Sequence, residues 1–336
     1  MTAAAEPRAV RREAPPIVAF LARRIAGALV ALLIASVVIF AALNVLPGDP
    51  ASVILGRNAT PAAERVLTKR MHLDRPAATR YFDWLGGFVH GDLGTSAVSL
   101  AQGQSQSVWS QISGPLKNSA ILAAIAALCM IPLSIGLGVV GPIFPGKPAD
   151  HAISILSLAA IALPEFVTGS LLIGVFFVAL DWLPPVAIVP PGGNPLDKPS
   201  QLVLPVLTLL FASLAAGVRM VRAGMTEVLQ ADYVQTARLN GVAERRVLLR
   251  YALRNALAPS VQVIAQNLQW LIGGIIITEN VFAYPGIGTV LVNAVQNRDI
   301  TVVQSVAMLI AVVYVVLNLL ADLVVLLLVP KLKEPA

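Results

Sequence analysis

Residues 232–259 read DYVQTARLNGVAERRVLLRYALRNALAP, and this stretch decides how the rest of the chain is organised. It is a polar interval flanked on both sides by apolar runs long enough to cross a bilayer. Its charge is lopsided, with Arg238, Arg245, Arg246, Arg250 and Arg254 set against Asp232 and Glu244. Tyr233, Thr236, Ala237 and Asn240 recur at i, i+3, i+4 and i+7, so a helix would place them on one face. Asn240-Gly241 then supplies a left-handed stop. In the following segment Val247, Leu248, Tyr251 and Ala252 share one side, and Arg246, Arg250 and Arg254 form a basic stripe beside it. The spacing predicts two short helices at a turn, one along the membrane surface and one leading back into the bilayer.

Of the 336 residues, 57% are hydrophobic and only 12% are charged, which leaves too few charged side chains to coat a water-soluble globule. The class is therefore an all-α polytopic membrane protein. The net charge of +6 is carried by loops beside apolar runs, which suits membrane topology and anionic lipid and does not call for nucleic acid. Spans are expected at 25–46, 116–140, 153–180, 202–219, 258–282 and 302–329. The tail before the first span carries five Lys or Arg, and the 219–254 region carries seven. The short loops around Lys198 and Arg298 carry one each. This asymmetry predicts six helices with both termini cytoplasmic, and puts 232–259 on the cytoplasmic side. The expected divisions are a cytoplasmic tail at 1–24, a first helix plus external lobe at 25–115, a transmembrane domain at 116–330, and a tail at 331–336 containing Lys331 and Lys333. Within the lobe, Pro61 to Met71 reads as an amphipathic helix. The 181–201 segment holds six prolines and is expected to be irregular.

The 232–259 stretch resembles the EAA loop of ATP-binding-cassette importer permeases of the dipeptide, oligopeptide and nickel type. The resemblance rests on Tyr233-Val234-Gln235-Thr236-Ala237-Arg238 with Gly241, followed by Leu253-Arg254-Asn255-Ala256 and Pro259. Gln235-Thr236-Ala237 stands where the wider superfamily has Glu-Ala-Ala, Leu239-Asn240 replaces Ala-Lys, and Tyr251 replaces a frequent His. Further similarity lies in LPGDP at 46–50, HLDRP at 72–76, YFDWLGGFVHGDLG at 81–94, and the Tyr284-Pro285-Gly286-Ile287-Gly288 element that ends near Arg298-Asp299. It spans about 23–333.

What the resemblance implies is a coupling helix between the fourth and fifth spans that inserts into a groove on an ATPase subunit. Tyr233, Gln235, Thr236, Ala237, Arg238, Asn240, Gly241 and Arg245 would carry that contact. It also implies a homologous second permease, one or two cytoplasmic ATPases that use ATP and Mg, an extracytoplasmic binding protein, and a place in the bacterial inner membrane. No cofactor is expected on this chain, and the external lobe would lie beside the substrate route.

The 141–147 segment, GPIFPGK, has the glycine and lysine spacing of a phosphate loop. Pro142 and Pro145 remove two N–H donors, and Pro148 occupies the Ser/Thr position, so it reads as a tight cytoplasmic turn. There is no HExxH, no Cys/His cluster and no GxSxG. His72 and His90 are expected outside and His151 at the inner boundary, so catalysis is not expected. Three carboxylates, Glu165, Glu279 and Asp322, fall within or near spans, where such groups usually face a cavity or a partner. Each could line a translocation path; Glu165 carries that reading best because Pro164 frees backbone groups beside it. Packing or interfacial roles serve Glu279 and Asp322 equally well. A secondary transporter would need internal repeats of broken helices, and one Pro-Glu step does not supply them. No histidine lies well inside a span, Cys129 has only Met130 beside it, and Met308 is isolated, a poor ligand set for bare nickel. The expected cargo is a short peptide, with Glu165 placed to meet its amino group and a metal chelate as the alternative.

Overall fold

Long runs of Ala, Leu, Ile and Val satisfy their backbone only inside helices when water is excluded, and helices account for all regular structure among the described residues apart from one isolated bridge, Thr95 to Ser107. The computed structural model describes residues 16–45, 50–56, 59–190 and 192–328. Most of the expected N-terminal tail, residues 46–49 of LPGDP, and the segment with Lys331 and Lys333 lie outside the described residues.

The first span is α1 (Pro16–Val45). The lobe follows as α2 (Pro50–Leu55), α3 (Pro61–Arg70), α4 (Ala77–Val89) and α5 (Ala97–Ala101). α3 begins where the sequence predicts, with Thr60 Oγ1 accepting from Ala63 N at 3.2 Å as its N-cap. α4 lies on α1 through Tyr81 and Trp84, whose rings are 5.4 and 6.3 Å from that of Phe40. Tyr81 Oη also meets Ser36 Oγ at 2.9 Å.

α6 (Val108–Ile143) starts about two turns earlier than the apolar run suggests. α7 (Pro148–Ala162) and α8 (Glu165–Ile173) replace the continuous third span expected at 153–180. They are bent by 117° at the intervening Leu163-Pro164. Pro164 has no N–H to give, and the residue before a proline is pushed to extended backbone, as Leu163 is with ψ 127°. α8 ends in a π-helical turn at Gly174–Ala179. The proline-rich segment is irregular apart from one 3-10 turn, Pro195–Asp197.

α9 (Ser200–Leu229) runs ten residues past its expected end. After it come α10 (Asp232–Leu239), α11 (Glu244–Arg246), a π-helical turn (Val247–Leu253) and α12 (Arg254–Val281). α13 (Ile287–Gln296) and α14 (Ile300–Leu328) complete the described chain. Among the described residues four helices are long and apolar enough to cross a membrane, and the bent pair makes a fifth span if taken as one. α12 is of spanning length but its run is interrupted by Gln266, Asn267 and Gln269, and it is not among those helices.

α9 is the central rod, packed on α6 and α12. The core between them gathers Leu122, Met130, Leu209, Leu271 and Tyr284. Close approach needs small residues. A Cβ on Gly138 of α6 would stand 2.6 Å from Val221 Cβ, and one on Gly224 of α9 would stand 2.8 Å from Ala256 O.

Candidate functional site: a coupling hairpin and a membrane cleft

α10 is amphipathic, and its apolar side is short. Val234 and Ala237 are buried with Val247, against Val228, Leu229 and Val242. The expectation that Ala237 shares the outward face with Tyr233 is therefore corrected: with so few apolar side chains in the hairpin, Val234 and Ala237 at i and i+3 form its inner seam. Tyr233, Gln235, Thr236, Leu239 and Asn240 are exposed, and Leu239 is 88% exposed despite being fully apolar. Gly241 has φ +74°, a left-handed turn that closes α10 as expected. Arg238 then reaches across the turn to Glu244, Nη2 to Oε1 at 2.7 Å and Nε to Oε2 at 3.2 Å. This fork pairing raises the Arg238 pKa and holds the Glu244 carboxyl below its usual range. Arg245 is exposed beside it. Tyr233 Oη accepts from Asn255 Nδ2 at 3.0 Å, which ties α10 to the start of α12. The hairpin is thus one body glued to the end of α9 and the foot of α12.

Inside the membrane region a cleft of about 1820 Å³ opens between α1, the α7–α8 break, α9, α12 and α14. Glu165 and Asp322 both line it. Glu165 Oε2 is buried without a hydrogen-bond partner, and its carboxylate fills the space a Gly274 side chain would need, 2.6 Å from a Cβ placed there. Asp322 Oδ2 is paired with Arg24 Nε at 3.3 Å across the mouth formed by α1 and α14. Glu279 is elsewhere. It is fully buried at the end of α12, bonded to Ser119 Oγ of α6, and accepts from Gly288 N at 2.7 Å. The structure places it at a packing junction under α13 and not on the cleft. A polar stripe that a search for charges passes over completes the cleft wall: Gln266, Asn267, Gln269 and Trp270 of α12, with Gln269 Nε2 donating to Asn318 Oδ1 of α14 at 2.9 Å. Its signal was legible as QNLQW at 266–270 inside an apolar run.

Residues 130–334 match the family described as binding-protein-dependent transport system inner membrane component, and residues 17–112 match the N-terminal family of the same membrane components. The chain belongs to this family. It is a permease subunit of an ATP-binding-cassette importer and a multi-pass protein of the bacterial inner membrane. It is 34% identical to the glutathione transport system permease protein of Pectobacterium atrosepticum, over 90% of this chain and 94% of that one. It is 34% identical to a putative peptide transport system permease protein of Brucella abortus, covering 91% and 96%. Against the glutathione transport system permease protein of Escherichia coli K12 the figures are 32%, 90% and 95%.

Two further carboxylates organise the permease: Asp299, which the sequence marked only as the end of a family-like element, and Asp150, which did not stand out. Asp299, between α13 and α14, is bonded to Ser96 Oγ and accepts from Ala97 N at 3.0 Å and Val302 N at 3.3 Å. It caps α14 and α5 together, so the lobe is fastened to the last span, and Ser305 Oγ adds a bond to Leu93 O at 2.9 Å. At the opposite end of the bundle, Asp150 of α7 pairs with Arg222 of α9, Oδ1 to Nη2 at 2.9 Å. The long-range partners, 72 to 212 residues apart, leave no local pattern, which is why those contacts are invisible before folding.

Proposed function

We propose that this permease moves short peptides inward through the cleft, paired with a homologous second permease and driven by one or two cytoplasmic ATPases that dock on α10. An extracytoplasmic binding protein would deliver the cargo. ATP and Mg belong to the ATPases; this chain contributes no catalytic group and holds no cofactor. The arrangement proposed is six crossings, counting α7–α8 as one and α12 as another, with both termini and the hairpin cytoplasmic.

The observation that carries the reading is the hairpin. Val234 and Ala237 glue α10 to α9, while Tyr233, Thr236, Leu239 and Asn240 face outward with no intramolecular apolar cover. A helix built that way transmits a push as a rigid body. Gln235, Gly241 and Arg245 flank that face, and Arg238 holds the hairpin's shape through Glu244. The peptide cargo is supported by the names of the relatives and by the cleft wall. The wall offers amide side chains for a peptide backbone and an unpartnered Glu165 carboxylate oxygen for its ammonium group. Asp322, already engaged by Arg24, serves the mouth of the same path.

The test is a deletion strain assayed side by side for growth on di- to oligopeptides, for glutathione use and for radioactive nickel accumulation. Loss of peptide or glutathione use, restored by the wild-type gene and not by Glu165→Gln, is expected. Loss of nickel uptake with peptide use intact would overturn the proposal.

A further inference from the structure

Asp150 is the third residue of α7 and is 5% exposed. Besides Arg222, it accepts from Gly146 N at 3.1 Å through Oδ2. Arg222 Nη1 bonds Ser154 Oγ one turn further along α7. Gly141, near the end of α6, is pressed against the same pair: a Cβ there would lie 2.6 Å from Asp150 Oδ1 and 3.2 Å from Arg222 Nε. Three successive pieces of chain, the end of α6, its proline-rich turn and the start of α7, therefore converge on one guanidinium of α9. The carboxylate also sits in the first turn of α7, where the helix dipole favours it.

The pair's position along the chain gives it a second property. Arg222 lies seven residues before α9 ends at Leu229, and Val228 and Leu229 belong to the apolar seam that holds α10. Asp150 is 13 residues before Leu163, so about 19 Å of helix separates it from the Leu163-Pro164 break. Glu165 stands immediately beyond that break, on the cleft. A displacement of α10 reaches α9 directly, and the first polar contact that hands it on to α7 is Asp150–Arg222.

We propose that Asp150–Arg222 is a coupling brace, a positioning contact that makes α7 move with α9 so that motion of the coupling helix rearranges the cleft at Glu165. The proposal rests on the reading of α10 as the ATPase contact. An ion pair suits this task because its geometry is discrete: a mostly buried carboxylate deprived of its partner is strongly disfavoured, so the two helices do not slide apart gradually. An apolar contact at the same place would slip. In the four-residue turn 144–147 between α6 and α7, Gly146 at φ +72° presents its N–H to Asp150.

The experiment uses the complete transporter in proteoliposomes, with tri-alanine as the probe, and reads peptide taken up per ATP hydrolysed. In Asp150→Asn and Arg222→Met the ATPases remain bound and basal hydrolysis persists, while uptake per ATP falls by about tenfold or more. Arg222→Lys, which keeps the charge and loses the bond to Ser154, gives an intermediate ratio, and it carries the test alone should Asp150→Asn not assemble. A Ser154→Cys/Arg222→Cys pair in a Cys129→Ala background is uncoupled when free and recovers coupling when joined by a bifunctional thiol reagent. A contact needed only for folding would not be restored by a tether added after assembly. Unchanged uptake per ATP in all the assembled variants, or a tethered protein that stays uncoupled, overturns the brace. Absence of ATP-driven tri-alanine uptake in the wild type would instead defeat the functional reading on which it rests.

Discussion

Replacing Glu279 separates a packing role from a path role. The side chain is fully buried, accepts from Gly288 N and Ser119 Oγ, and Ser119 Oγ in turn accepts from Ile287 N at 2.8 Å. This chain of bonds fixes the first turn of α13 on α6 and α12. Glu279→Ala leaves two buried donors unmatched, at about 1–3 kcal/mol each. It also removes one buried methylene worth about 0.8 kcal/mol. The expected loss is roughly 3–6 kcal/mol once some water enters the space vacated under Gly286. Glu279→Gln keeps the volume but turns one acceptor oxygen into a donor, for a loss of about 1–3 kcal/mol. With roughly 2 °C per kcal/mol for a chain of this size, the Ala variant melts about 6–12 °C lower and the Gln variant about 2–6 °C lower. The assay is loss of helical circular dichroism in detergent at one fixed scan rate, since unfolding of such proteins is kinetically controlled. Peptide uptake per folded molecule should be near wild type for Glu279→Gln. A Glu279→Ala protein that melts within about 1 °C of wild type would refute the reasoning, as would full stability of Glu279→Gln combined with lost uptake.

Three other outcomes follow from the hairpin and the topology. Ala237→Glu buries a charge between Val234 and Val247 and is expected to release α10 and lose the copurifying ATPase, whereas Thr236→Ala on the exposed side keeps the hairpin folded and weakens only ATPase binding; normal copurification in Ala237→Glu counts against the seam. Arg238–Glu244 is an exposed pair worth about 0.2–1 kcal/mol. Because the folded Glu244 pKa is lowered, its contribution is present above the ordinary carboxylate pKa and disappears as the pH falls through the folded value; limited proteolysis of the 238–245 turn should therefore distinguish wild type from Glu244→Gln at neutral pH and not in acid. Cysteines replacing Arg70 and the exposed Leu196 should react with impermeant thiol reagents on intact cells, and one replacing Glu244 only after permeabilisation; labelling of the last in intact cells would overturn the six-crossing arrangement.

What the sequence by itself determined was everything carried by neighbours along the chain. Apolar runs of bilayer length, a glycine stop at 241 and an ordered motif over 232–259 are local, so class, family and the existence of α10 could be read directly. Proline 164 announced a break but not its size, because a missing N–H says where a helix ends and leaves the next direction to packing. Only the tertiary structure decided which way each polar side chain points. Ala237 faces in, packed with Val234 and Val247 against Val242 and the end of α9, and Glu279 is consumed by the N-terminus of α13. Glu165 keeps one carboxylate oxygen without a hydrogen-bond partner in the cleft, where Gly274 leaves it room, while Arg24 is spent on Asp322. Charge marks a residue as costly to bury; which partner meets that cost depends on helices brought together from distant parts of the chain.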